Sequence, residues 1–262
     1  MRTVRVPLLD VRDLTLQYRT EDQHVLATQG VTFQVFDSDR LVMLGPSGCG
    51  KSTLLSAVGG YLAPLEGSIE LKGTPVVSPG PDRMMVFQEF NQLLPWKTVK
   101  ENVSFALRAG GKLGRRAADE RAMHYLEKVH LGPFANSYPH TLSGGMKARA
   151  AIARGMAMEP QVLLMDEPFA ALDALTRRQM QEELLQLWAV TRFTLLFVTH
   201  SIPEAIALGS RILLLSSPPG RVKAELASDG RDSIDPANGV RLSERIHRML
   251  FSSPPEGAMR YA

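Results

Sequence analysis

The 262-residue sequence is 44% hydrophobic and 22% charged, with a net charge of +3 at pH 7. That is enough apolar content for a packed core, and the small basic excess marks a solvated surface rather than a polyanion binder. Its single cysteine, Cys49, excludes an intrachain disulfide framework and fits a reducing compartment. No apolar run approaches the roughly 20 residues that cross a bilayer, and Met1–Pro7 holds no apolar stretch of signal-peptide length. The expectation is a soluble chain whose membrane role comes only through a partner.

The length suits one large α/β domain. Leu8–Val11 and Leu14–Tyr18 alternate apolar and polar residues and predict short strands, as does Val31–Val35. Arg40–Leu44 is a continuous apolar run ending in a Gly-rich loop, the pattern of a buried parallel strand. A helix is expected over Lys51–Val58, then strands over Gly67–Leu71 and Met84–Phe87. From 95 to 158 strand signals vanish and helical spacing covers Val99–Leu107, Ala117–Val129 and Ser143–Met158. A buried strand returns at Gln161–Met165. It is followed by a helix over Leu172–Thr191, a strand over Thr194–Thr199, a short helix over Ile202–Leu208, and strands over Arg211–Leu215 and Val222–Leu226. Strands alternating with helices imply a mostly parallel, covered sheet. The domain expected is 1–227, with a core from 1–94 and 159–227 and a helical insertion over 95–158. The tail 228–262 carries one short helical pattern, Ser243–Phe251. It is too short for a separate regulatory module, given domain sizes of roughly 100–150 residues.

Gly45-Pro46-Ser47-Gly48-Cys49-Gly50-Lys51-Ser52 fits G-x-x-x-x-G-K-[ST] at every position, between a predicted strand and a predicted helix. The glycines let backbone N–H groups wrap phosphate oxygens, and the helix adds its positive N-terminal end. Lys51 suits the β- and γ-phosphates, and the Ser52 hydroxyl suits Mg²⁺. Cys49 is read as a small side chain tolerated in the loop rather than as a redox sensor. The apolar run Val162–Met165 ends in Asp166-Glu167. Asp166 suits a Mg²⁺-holding carboxylate acting through water, and Glu167 suits polarisation of an attacking water. Ser143 has the character of an N-cap followed by Gly144 and Gly145. Two glycines in a first helical turn cost about 1 kcal/mol each, so a close backbone approach, such as a second phosphate-binding surface, is expected there.

The loop, then Leu142-Ser143-Gly144-Gly145, then Asp166-Glu167, in that order and spacing, resembles an ABC-type ATPase subunit over about residues 8–226. The resemblance implies an α/β P-loop NTPase fold with a mostly parallel central sheet, an N-terminal antiparallel β subdomain and a helical insertion carrying the signature motif. It implies an ATPase coupled to transmembrane transport, with ATP and Mg²⁺. By the same resemblance Gln88 is the Q-loop glutamine touching Mg²⁺ and the attacking water, Asp173 the D-loop residue, and His200 the switch histidine at the γ-phosphate. Tyr18 stacks on adenine, and Thr53 completes the ATP-binding stretch Gly45–Thr53. Two subunits enclose two ATP molecules head to tail, each ATP lying between one copy's Gly45–Ser52 and the other's Ser143-Gly144-Gly145. The implied setting is a homodimer on the cytoplasmic face of the membrane. There it meets integral membrane permease subunits and a periplasmic or extracellular substrate-binding protein, and it contacts no nucleic acid. Met146 and Ala148 stand where the family commonly has Gln, and Ser201 stands where an acidic residue is usual.

Gly80–Gln88 with Leu93–Val99, Thr176–Met180 and Leu213–Arg221 resemble the importers for nitrate, sulfonates and taurine. Trp96 is expected near the groove that receives the permease. An importer of another small molecule, such as a vitamin precursor, is the neighbouring alternative. A soluble ABC ATPase acting on nucleic acid or ribosomes is the distant one; it would carry paired ATPase domains or a long coiled-coil insertion, and this chain has neither. A GTPase would need an Asn-Lys-x-Asp guanine reader, which is absent. Glu167 and His200 both argue against a subunit that binds ATP without hydrolysing it.

Overall fold

The computed structural model describes residues 5–19, 24–88, 92–111, 113–228 and 236–251. Two sheets organise it. Strands β1 (Leu9–Arg19), β2 (His24–Val35), β4 (Glu66–Leu71) and β5 (Thr74–Pro75) form an antiparallel sheet in the order β2-β1-β4-β5. Strands β3 (Arg40–Leu44), β6 (Arg83–Val86), β7 (Val162–Asp166), β8 (Thr194–Thr199), β9 (Arg211–Leu215) and β10 (Val222–Ala227) form the second, in the order β10-β9-β3-β8-β7-β6. All its pairings are parallel except that of the edge strand β10 with β9.

The apolar runs read as buried parallel strands are buried on both faces. Every residue of β3, β7 and β8 is buried. Alternate residues face two different cores. Leu41, Met43, Leu164, Leu196 and Val198 pack with the antiparallel sheet and helix α1 (Lys51–Val58). Val42, Leu44, Leu163, Met165, Leu195 and Phe197 pack with the other helices. Those are α2 (Val99–Ala109), α3 (Arg115–Lys128), α4 (Gly144–Ala157), α5 (Ala174–Thr191), α6 (Ile202–Leu208) and α7 (Pro236–Phe251). The period of two thus places one sheet between two apolar layers, and only strand ends and loops are left for chemistry.

Helix α2 starts at a full capping box: Glu101 N donates to Thr98 Oγ1 at 3.2 Å, and Thr98 N donates to Glu101 Oε2 at 2.8 Å. Among the described residues no helix is long and apolar enough to cross a membrane.

Three local expectations change. The separate strands read at Leu8–Val11 and Leu14–Tyr18 are one strand, β1, with a bulge. Asp13 sits in the left-handed region at φ 47°, and the register shifts between Val11 and Leu14. Gly67 fits against this bulge, because a Cβ there would stand 2.3 Å from the Arg12 carbonyl oxygen. Strand β2 begins at His24 rather than Val31, because Val25, Leu26 and Ala27 are consecutive and break the two-residue alternation, yet that half still pairs with β1. Helix α7 begins at Pro236, ahead of the Ser243 read from spacing. Its Ile246 is fully buried and Leu250 nearly so, in the core that also holds Leu208 of α6 and Ile212 of β9. Lys223 Nζ donates to the carbonyls of Met249 at 3.0 Å and Leu250 at 3.5 Å, satisfying the end of α7.

Truncating Ile246 removes fully buried volume and is expected to cost about 2–5 kcal/mol. In thermal melts Ile246→Ala should lower Tm by roughly 5–15 °C. Arg245→Ala, exposed on the same helix, should leave it within about a degree. Equal melts for the two variants would show that α7 does not dock.

Candidate active site

In a parallel sheet all strands end at one edge, and side chains placed just beyond those ends meet. Strand β3 runs into the loop Gly45–Gly50, which hands the chain to α1. The loop lies hard against β2: Gly50 has φ 90°, and a Cβ on it would stand 2.7 Å from the Ala27 carbonyl oxygen. Any other residue would push the loop off its seat. Cys49 is fully buried, and burial pushes its thiol up despite the nearby Lys51 ammonium. It is a packing group, held as the neutral thiol.

Lys51 opens α1 and is almost wholly buried. Its Nζ donates to the carbonyls of Gly45 and Pro46, both at 2.9 Å. The ammonium therefore sits inside the loop, fixed by the loop's own backbone. The next residue reaches the neighbouring strand end: Ser52 Oγ donates to Asp166 Oδ1 at 2.9 Å. Asp166 is the buried last residue of β7. Burial raises its carboxyl above the usual range and the Glu167 charge adds to this, while the Ser52 hydroxyl and Lys51 act in the opposite direction.

Glu167 turns the chain sharply. Its φ of 42° is costly for a residue with a Cβ, by about 1–3 kcal/mol. Its N–H donates to the Val198 carbonyl at 3.1 Å, so the turn is anchored to β8. Its Oε2 stands 2.9 Å from His200 Nδ1. Glu167 is largely buried at the side chain and His200 is more than half exposed, so the pair presents an imidazole to solvent from a carboxylate base. The strained backbone and this pairing occur at one residue, the usual mark of a functional turn.

Gln88 follows the end of β6 and is exposed. Val86 pairs with Met165, so Gln88 stands at the strand end beside Asp166 and Glu167. The structure thus gathers Gly45–Thr53, Asp166, Glu167, His200 and Gln88 along one edge. Tyr18 lies elsewhere on β1, exposed and paired with Val25. Asp173 caps α5: its Oδ1 accepts from the N–H groups of Leu175 at 3.1 Å and Thr176 at 3.0 Å, and Oδ2 accepts from the Thr176 hydroxyl at 2.6 Å. The Thr176 hydroxyl is the chief cause that holds its carboxyl below the usual range. Ser143 caps α4, accepting from Met146 N at 3.3 Å. Gly145 packs inside this copy: a Cβ there would stand 3.1 Å from the Thr176 side-chain Cγ2, at the start of α5. No hydrogen bond joins Ser143 to the 45–52 loop among the described residues. Its exposed hydroxyl and the partly exposed Gly144 face outward from this copy.

Sequence reasoning missed two residues that hold the site. Arg177 donates to the carbonyls of Phe169, Ala170 and Leu172, stitching the turn after Glu167. Glu204 is a buried carboxylate beside Thr199. Local spacing does not show what either one holds: Arg177 lies among the charged residues of α5, and Glu204 stands at the acid position of a Ser201-x-x-Glu204 capping-box pattern. No group of three or more His, Cys, Asp or Glu able to hold a metal occurs among the described residues. The Ser52 hydroxyl and the Asp166 carboxylate are oxygen donors of the kind Mg²⁺ accepts, with phosphate and water supplying the rest.

The ABC transporter family profile matches residues 28–170. The taurine import ATP-binding protein TauB of Rhizobium johnstonii is 48% identical over 205 residues, which is 78% of each chain. The nitrate import ATP-binding protein NrtD of Synechococcus elongatus is 42% identical over 203 residues, covering 77% of this chain and 73% of that one. Among solved structures, a dimeric post-hydrolysis state of the ATP-binding cassette MJ0796 bound to ADP and Pi superposes with a TM-score of 0.72 at 31% identity. That match covers 84% of this chain and 98% of the other.

A buried carboxyl whose folded pKa is raised makes the folded state bind protons more readily than the unfolded one. Its cost is therefore complete above the raised value and vanishes below the unfolded value near ~3.9. Asp166→Asn keeps an acceptor for Ser52 and removes the charge. Its Tm at pH 7 should exceed that of the unmodified chain, and the gain should shrink as pH falls toward ~3.9 in a series of melts. An equal or lower Tm at pH 7 would contradict this account of Asp166.

Proposed function

The chain belongs to the ABC transporter family as one of its ATP-binding subunits, and from that premise we propose that it hydrolyses ATP at the 45–52 edge to drive import of a small anion. The carrying observation is the Glu167–His200 pair, 2.9 Å apart, beside the Ser52–Asp166 hydrogen bond. One pair suits activation of water and contact with a terminal phosphate; the other suits the metal that accompanies the nucleotide.

The roles follow from position. Backbone N–H groups of Gly45–Ser52 and the N-terminus of α1 bind the phosphates. Lys51 supplies a positive charge already fixed at the loop. Ser52 and Asp166, with Gln88, would hold Mg²⁺; when bound, the ion neutralises charge on the phosphate oxygens. Glu167 accepts from the water that attacks the γ-phosphorus. His200, with Nδ1 turned to Glu167, meets the γ-phosphate through its other ring nitrogen. Tyr18 stacks on the base, at the far end of the site.

The outward-facing Ser143 and Gly144 support a composite site, each nucleotide being closed by a second copy. The dimeric MJ0796 cassette is consistent with that arrangement. Exposed Trp96, followed by the capped start of α2, offers an apolar handle for permease subunits. With no membrane-crossing helix among the described residues, attachment to the cytoplasmic face comes through those subunits. The likeness to taurine and nitrate import proteins supports a sulfonate or nitrate-class cargo, delivered by a separate substrate-binding protein.

Glu167→Gln keeps the side-chain shape and removes the base. With Mg-ATP it should form a stable dimer by light scattering, while steady-state turnover falls about 100-fold or more. A monomer with near-normal turnover would refute the assignment of Glu167.

A further inference from the structure

The turn that carries His200 is held by a carboxylate for which the site chemistry has no use. Glu204 lies in the first turn of α6 and is only 7% exposed. It forms no ion pair among the described residues. A buried carboxylate without a cation costs several kcal/mol unless hydrogen bonds hold it. Two do: Thr199 Oγ1 donates to Oε2 at 2.5 Å, and Gln181 Nε2 of α5 donates to Oε1 at 2.9 Å.

The sequence Ser201-Ile202-Pro203-Glu204 has the form of a capping box, in which the acid should reach back to the Ser201 N–H. Half of the box is present, since Ser201 Oγ accepts from Glu204 N at 3.4 Å. The other half is diverted. The Ser201 N–H donates instead to Thr199 Oγ1 at 3.0 Å, and the carboxylate goes to Thr199 and across to α5. Thr199 Oγ1 thus bridges the Ser201 N–H and the Glu204 carboxylate, closing the backbone from Thr199 to Ser201 into a hydrogen-bonded ring. His200 is the residue between those two, so this ring constrains its backbone.

We infer that Glu204 is a positioning residue for His200, tying the turn that carries it to helix α5 through Gln181. Ser201 serves as the cap of α6, and the carboxylate that orients this turn comes from Glu204. This inference rests on the reading of His200 as a residue that meets the γ-phosphate. It adds that α5 and His200 keep their relative placement through the Gln181–Glu204–Thr199 bridge.

The test uses the full chain with Mg-ATP, reading steady-state kinetics and single-turnover phosphate release. Gln181→Leu and Thr199→Val each cut one arm of the bridge and should lower kcat about 3–10-fold, with KM for ATP within about twofold. Glu204→Ala should lose more, about 10–30-fold. Glu204→Gln keeps an oxygen for Gln181 and offers a donor to Thr199 Oγ1, and should recover to within about threefold of the unmodified chain. In a His200→Ala background, Gln181→Leu and Thr199→Val should have no further effect, because they act through His200. Unchanged kcat in both single variants would overturn the inference, and so would equal fold-losses with and without His200. A His200→Ala chain as active as the unmodified one would sink the reading of His200, and this inference with it.

Discussion

The hydrogen bond from Ser52 Oγ to Asp166 Oδ1 joins the two halves of the site, because it links the loop after β3 to the end of β7 across the intervening strand β8. The loop, the Asp166-Glu167 pair, His200 and Gln88 stand at this edge, while Tyr18 and Ser143 lie away from it. The parallel pairing aligns the ends of β3, β8 and β7, and the apolar layers on both faces exclude any other outlet. Asp166 is charged at a cost, as the upward push on its carboxyl shows. Glu167 stands in a left-handed turn at a further cost. Lys51 is buried against carbonyls. A fold optimised for stability alone would keep none of these, so together they mark where stability is given up for chemistry.

Much of this was legible in the sequence, for identifiable reasons. Arg40–Leu44, Val162–Met165 and Thr194–Thr199 are apolar throughout, and strands covered on both faces must be so. The Gly45–Ser52 spacing encodes a backbone shape, so it is readable without a structure, and Gly50 shows why: no side chain fits against Ala27. Other features were hidden. Strand β1 contains a bulge at Asp13 that breaks the two-residue period, so it reads as two strands. The first half of β2 lacks the two-residue alternation and shows itself as strand only through its pairing with β1. Helix α7 carries its buried contacts at Ile246 and Leu250, while its first turns hold Pro236, Asn238 and Gly239, whose low helix propensity hides the early part of its pattern.

The site shows the same division. Lys51, Ser52 and the Asp166-Glu167 pair could be read from local spacing. The supports contributed by Arg177 and Glu204 could not, because side-chain direction, and for Gln181 the packing of α5 on α6, selects their partners, and spacing encodes neither. Ser143 and Gly144 are a third case. Within one copy Ser143 caps α4, and both residues face outward, so the phosphate surface expected of them has another copy of the chain as its proposed partner. Gly145 has an internal role as well, allowing α4 to approach Thr176.

The central claim is that the 45–52 loop grips nucleotide phosphates through a charge preset at Lys51. Isothermal titration of the full chain with Mg-ATP tests it most directly, comparing the unmodified protein with Lys51→Ala while melts confirm that both are folded. The variant is expected to stay folded and to lose affinity by about 100-fold or more, a charge-assisted contact being worth several kcal/mol where it is desolvated. A folded Lys51→Ala chain that binds ATP as tightly as the unmodified protein would contradict it.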